Sequence, residues 1–186
     1  MKGHNDLIDE VHEFWFGPSP YERRVIWFEK DPDFDTEIRT RFGEAWAQAS
    51  SGAFDHFAET ARGRLVLLVL LDQFSRNLYR GNALAFSNDA KALELANVGI
   101  REGHDMEVTQ YERIFMYLPF EHSEVLADQK RFIELCVNLP ERNLTAGRQH
   151  LVIIEKFGRF PHRNEALGRI TTEEEAAFLL KPDSSF

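Results

Sequence analysis

One stretch decides the fold: Ala61-Arg62-Gly63-Arg64-Leu65-Val66-Leu67-Leu68-Val69-Leu70-Leu71-Asp72-Gln73-Phe74-Ser75-Arg76-Asn77-Leu78-Tyr79. Wound at about 100° per residue, Leu65 to Leu71 cover almost the whole circumference. A helix apolar all round is buried at the centre of its fold. The run is seven residues between Arg64 and Asp72, well short of the about 20 that cross a bilayer. Its last two turns nonetheless carry Asp72, Gln73, Arg76 and Asn77, and Leu65, Val69, Asp72 and Arg76 share one stripe. Asp72 and Arg76 are an i, i+4 acid-base pair. Lone charges there would cost several kcal/mol, so they are paired or face water. Two readings stay open: an ion-pair network bracing neighbouring helices, or a helix end lining a binding cleft.

Outward from this segment the periodicity is helical. Leu7, Ile8, Val11, Phe14 and Trp15 form an amphipathic stripe that stops before Gly17-Pro18. Pro20 suits the first turn of a short helix with Val25, Ile26 and Phe28, and Asp33 or Asp35 can cap one carrying Ile38, Phe42, Trp46 and Ala49. Residues 53–59 make a weaker helix. Ser87 is expected to cap a helix from Asn88 to Glu102 that Gly103 ends. Thr109 opens one to Leu118, and Pro119 begins or kinks the next, which runs to Leu139. Thr145 opens a helix through Phe157, and a Thr171–Glu174 capping box starts the last, to Leu180. No alternating strand pattern stands out. The expectation is one all-α domain over residues 1–186, an antiparallel stack of about nine helices. No 34-residue-type repeat is legible.

Composition narrows the function classes. The chain has 186 residues with 31 Asp+Glu against 22 Lys+Arg, a formal charge of −9. That balance argues against nucleic acid, which needs a basic stripe. One cysteine, Cys136, excludes an intramolecular disulfide and a thiolate zinc cluster, and its apolar neighbours suit a buried inert thiol. The start Met1-Lys2-Gly3-His4-Asn5-Asp6 is followed by acids rather than a long apolar run, so no signal peptide is expected and the cytoplasm is the simplest compartment.

Three further segments put polar groups among apolar ones. Glu112 and Arg113 interrupt the stripe of Tyr111, Phe115 and Leu118, and Pro119-Phe120-Glu121-His122-Ser123-Glu124 follows. His150 shares a face with Ala146, Ile153, Ile154 and Phe157, where a satisfied core histidine is the plainer reading. Lys156-Phe157-Gly158-Arg159-Phe160-Pro161-His162-Arg163-Asn164 reads as a basic loop in an acidic chain. Solvated loop charge is its plainer reading. Its arginines also offer forks for a carboxylate or phosphate, and Phe157 and Phe160 suggest that the loop is tied to the core.

These blocks carry a resemblance. Asp9 to Gly17, Leu71 to Asn77 with Tyr79-Arg80-Gly81, Pro119 to Glu124, and Phe157 to Asn164 followed by Leu167-Gly168-Arg169 are similar, in order, to a bacterial family, the domain of unknown function 924. The resemblance runs from about Ile8 to Phe186 and implies an all-α fold resembling tetratricopeptide repeats. It implies no established activity and so supplies no catalytic residues. Ser75 stands where that family usually has proline, and Ala61 where it often does. With serine the helix is free to continue to Leu78; with proline it would tend to end before Arg76.

The leading expectation is a binding module with an Arg/His/Glu-lined cleft for a peptide or small anionic ligand, formed by Asp72, Arg76, Asn77, Arg80, Glu121, His122, Arg159, His162 and Arg163. The alternative is a small-molecule enzyme with arginine anchors and His122, Glu124, His150 or His162 moving protons. No cofactor or metal is expected, since HExxH and CxxC spacings are missing. Ser123 has no nucleophile-elbow context. The expected partners are a small anionic molecule or a peptide or protein, with neither nucleic acid nor membrane. The polar blocks are expected to meet in space.

Overall fold

The computed structural model describes residues 4–182 and Ser184, and among them every regular element is helical. Helices α1 (His4–Phe16), α2 (Pro32–Ser50) and α3 (Ala61–Leu68) lead into a wide π turn, Val69–Phe74, which continues as α4 (Ser75–Leu78). Then come α5 (Asp89–Glu102), α6 (Gln110–Glu121), α7 (Leu126–Leu135), α8 (Glu141–Phe157) and α9 (Glu173–Leu179). Short 3₁₀ turns fill most connections, including Val25–Trp27, Asp55–Glu59, Ala83–Phe86 and Pro161–Arg163. Sequential helices pack as neighbours, α5 on α6, α6 on α7 and α7 on α8, while α1, α5 and α6 all lie against α3. No helix is long and apolar enough to cross a membrane among the described residues.

The all-apolar segment sits where its pattern requires. Leu65 to Leu71 are each no more than 1% exposed, and full burial of such a side chain is worth about 1.5–3 kcal/mol. Aromatic residues fill the layer around it: Phe14 meets Phe42 and Phe74, and Trp15, Phe16 and Trp27 close on Phe115. A smaller cluster of Ile153, Ile154 and Phe160, with Phe157 and Phe178 against it, lies under the last third of the chain. Cys136 is buried, which pushes its thiol up to about 12 and leaves it unreactive.

The helix runs through Ser75 to Leu78, so Arg76 stays one turn from Asp72. Ser75 Oγ donates to Leu71 O and accepts from Trp46 Nε1 (2.8 Å) and Asn88 Nδ2 (3.3 Å), tying three helices together.

Several expected boundaries move. Asp31, not Asp33 or Asp35, caps α2, accepting from Asp33 N and Phe34 N ahead of Pro32. Ser87 spends its hydroxyl on Leu84 O, and Asn88 precedes α5. Pro119 lies inside α6, three residues before its break at His122. Proline there has no amide hydrogen for the carbonyl one turn back, and the helix ends within one further turn. The chain then turns through residues 122–125, and Gln129 Nε2 donates to the carbonyls of Phe120, Glu121 and Ser123. Thr145 lies inside α8, which begins at Glu141, and its hydroxyl bonds back to Glu141 O. The last capping box is Thr172–Glu175, one residue later than expected, and it buries Glu175 where Arg159 can reach it.

Candidate functional site

The polar end of the central helix builds one cluster. The π turn delivers Asp72 and Gln73, α4 delivers Arg76, and the start of α5 delivers Asp89. The end of α6 contributes Glu121 and His122, and the Pro161–Arg163 turn contributes His162 and Arg163. A π turn inside an α-helix is rare and often marks a functional position.

Asp72, 2% exposed at its side chain, is gripped on three sides. Its Oδ1 meets Arg76 Nη1 at 3.0 Å and accepts from His122 Nδ1 at 2.8 Å, and its Oδ2 accepts from Gln73 Nε2 at 2.5 Å. Burial alone would raise this carboxyl, but Arg76, then His122 and Gln73, overcome it and hold Asp72 well below the usual range. Burial, and then the charge of Arg76, lower His122. A neutral imidazole that donates from Nδ1 keeps a lone pair on Nε2.

Arg76 also forks onto Asp89, with Nη1–Oδ1 at 3.0 Å and Nη2–Oδ2 at 3.2 Å. Arg163 reaches the same carboxylate, Nη1–Oδ2 at 3.3 Å, while its Nη2 donates to His122 O at 2.9 Å. Both guanidiniums pack on the Phe86 ring, at 5.8 Å for Arg76 and 4.6 Å for Arg163, and Phe160 covers Arg163 at 4.5 Å. Burial, and then the charge of Arg76, push Arg163 down to about 10. It remains charged at neutral pH.

Beneath lies Glu121, 5% exposed. Burial, and then the charge of Asp72, push its carboxyl up to about 8. His150 Nδ1 is 3.6 Å from Glu121 Oε1 and donates to Ala146 O at 2.9 Å. Burial pushes His150 down to about 3 and His162 down to about 4. The rings of His150 and His162 both contact Phe160. The cluster therefore holds Asp72 with its carboxyl held low, Glu121 protonated, the Asp89 carboxylate shared by two guanidiniums, and neutral imidazoles. Divergent protonation of this kind is what acid-base chemistry uses.

Of the residues singled out from sequence, Asp72, Arg76, Glu121, His122, His150, His162 and Arg163 come together. Asn77, Arg80 and Arg159 lie apart in braces of their own, while Glu124, braced to Arg169, still acts on His162 and Arg163 through its charge. Asn77 Nδ2 and Arg80 Nε and Nη2 donate to Asp35 of α2, pinning α4 to α2. Arg159 forks onto Glu175 at 2.6 and 2.8 Å. Glu124 takes both nitrogens of Arg169 and the amide of Phe160, tying the basic loop down. Glu112 completes the Thr109 capping box and meets His12 of α1 at 2.5 Å. Sequence reasoning missed Asp89 and Phe86. An acid in the first turn of a helix reads as a complement to the helix dipole, and nothing local announces two arginines from elsewhere. No group of three His, Cys, Asp or Glu residues suits a metal ion among the described residues. An open groove of about 400 Å³ lies elsewhere, against α8, lined by Thr145, Arg148, Val152, Ile153 and Phe178.

The fold and cluster define an all-helical protein with a charged, largely buried polar centre at one end of its core helix. By its match to the family model described as bacterial protein of unknown function (DUF924), over residues 11–183, the chain belongs to that family. It is similar to the solved structure of a protein of unknown function from Agrobacterium tumefaciens, with 39% identity and a TM-score of 0.89, covering 96% of this chain and 99% of that one. No curated protein matches the chain.

Proposed function

We propose that the protein is a binding module whose Arg76–Arg163 pair receives an anionic group of a small molecule or peptide. One observation carries this reading: two guanidiniums from distant parts of the chain converge on a single carboxylate, Asp89, that is 21% exposed at its side chain. A receptor for a soluble anion needs that access. Thermal-shift and calorimetric titrations with monocarboxylates, dicarboxylates, phosphates and acidic peptides test it. An anion that raises the melting temperature and loses at least tenfold in affinity on Arg163→Ala supports the reading. A panel that shifts nothing overturns it and leaves a structural ion network.

A second reading rests on a different observation. Asp72 fixes neutral His122 through Nδ1 and leaves Nε2 as a base, while protonated Glu121 lies nearby as an acid. An enzyme acting on a bound anion would use those two groups. Turnover of ester or phosphoester probes that disappears in His122→Asn, with melting unchanged, would favour it.

A further inference from the structure

We infer that the Arg76–Arg163 cradle is a receptor for a ligand carboxylate, and that Asp89 occupies it in the free protein as a displaceable internal stand-in. The inference rests on the binding reading above and names its ligand class.

The occupant itself shows what the cradle accepts. Asp89 presents two coplanar oxygens, one to Arg76 Nη1 at 3.0 Å and the other to both Arg76 Nη2 at 3.2 Å and Arg163 Nη1 at 3.3 Å. This is the planar fork recognition that arginine gives a carboxylate.

The two aspartates of the cluster differ in how firmly they are held. Asp72 is 2% exposed, with three side-chain partners. Asp89 is 21% exposed on the first residue of α5. A short side chain in that position reaches water by a change of rotamer.

Charge balance demands displacement rather than addition. Arg76 and Arg163 already face the carboxylates of Asp72 and Asp89, so a further anion beside them would add uncompensated negative charge in a partly buried place. Exchange of Asp89 for a ligand carboxylate keeps the balance, with the freed aspartate solvated. The same balance selects among anions. Arg76 Nη1 is shared with Asp72 Oδ1 at 3.0 Å, so a dianionic phosphate would set its second charge beside the buried aspartate. A monoanionic carboxylate does not.

One donor of the cradle is not used by Asp89. Arg163 Nε is buried without a hydrogen bond among the described residues. Phe86 and Phe160 flank its guanidinium, which keeps water off and strengthens its hold on an anion.

The test is melting of wild type, Asp89→Ala, and Asp89→Ala combined with Arg163→Ala, in sodium acetate, sodium phosphate and sodium chloride at matched ionic strength. Asp89→Ala should melt below wild type, and acetate should restore it saturably while chloride and phosphate do less. The double variant should not respond. Wild type should need at least tenfold more acetate than Asp89→Ala for half its shift, because Asp89 competes. Acetate acting no better than chloride on Asp89→Ala, or equally well on the double variant, would overturn the inference. So would failure of Asp89→Ala to fold in acetate, since a replaceable stand-in cannot be indispensable. A preference for phosphate in both wild type and Asp89→Ala removes this inference and keeps the anion-binding reading. Silence of every anion on both chains removes both.

Discussion

Glu121 and Asp72 are buried carboxyls of opposite protonation state within one cluster. Burial, and then the charge of Asp72, push Glu121 up to about 8. Asp72 is held low against its own burial by Arg76 and His122. The consequence for stability has a definite sign. The unfolded glutamate ionises near 4.5, whereas the folded one keeps its proton to about 8. Stability from this group is therefore fully present below pH 4.5, falls as pH rises towards 8, and is level above. Glu121→Gln lacks that titration. Relative to wild type it should gain a few kcal/mol between pH 5 and pH 8, at about 1.4 kcal/mol per pKa unit. Denaturant titrations at the two pH values check this, and an unchanged difference between the chains would refute it.

Arg76 is the shared partner of both aspartates. Arg76→Ala leaves Asp72 buried with only His122 and Gln73, and Asp89 with Arg163 alone. Breaking a buried pair by removing one partner costs about 3–5 kcal/mol. Urea unfolding should register a loss of that size, and Arg76→Lys, which keeps the charge without the fork, should lose less. A melt unchanged by Arg76→Ala would mean that Asp72 is solvated.

Three histidines of the cluster are held neutral, His150 at about 3, His162 at about 4, and His122 lowered by burial and Arg76. Unfolded, each would take up a proton near 6.5. The unfolded state then binds more protons below that pH, so stability falls as pH drops from 6.5 towards 4. His150→Gln should make the acid limb of a stability–pH curve shallower while leaving the neutral limb parallel to wild type. Equally steep acid limbs in the two chains would remove His150 from the account.

Gly63 permits a close approach at the start of the central helix. A Cβ there would lie 2.2 Å from the carbonyl oxygen of Phe57 and 2.9 Å from Thr60 Oγ1, the hydroxyl that caps α3. The nearer atom is backbone and cannot rotate away. Gly63→Ala should cost about 3 kcal/mol, at the upper end of overpacking, despite the helix preference of alanine. A thermal melt within a degree of wild type would contradict it.

The family-like blocks and the all-apolar run reached the fold without the structure. Seven consecutive large apolar residues leave a helix no wet face, so Leu65 to Leu71 had to be central. Most caps were legible to within a residue or a turn, because several candidate hydroxyls and carboxylates stand in a row, but the N-cap of α8 lies five residues before Thr145. Thr145 and Ser87 look like caps but turn their hydroxyls to carbonyls of the preceding turn. Which candidate wins depends on where the helix must stop to pack.

The candidate site divides along the same line. Buried charge must be compensated, and that rule, applied to periodicity, singled out Asp72 and Arg76, while Glu121 and His122 stood out as part of a dense polar run after an apolar stripe. The rule could not say which opposite charges do the compensating. Asn77 and Arg80 went to Asp35, Arg159 to Glu175, and Asp89, 13 residues from Arg76 and 74 from Arg163, became the common acceptor. Helical periodicity is a short-range property carried by neighbours in the chain. Charge pairing across the core is set by how helices far apart in sequence come to lie side by side, and only the tertiary structure decides that.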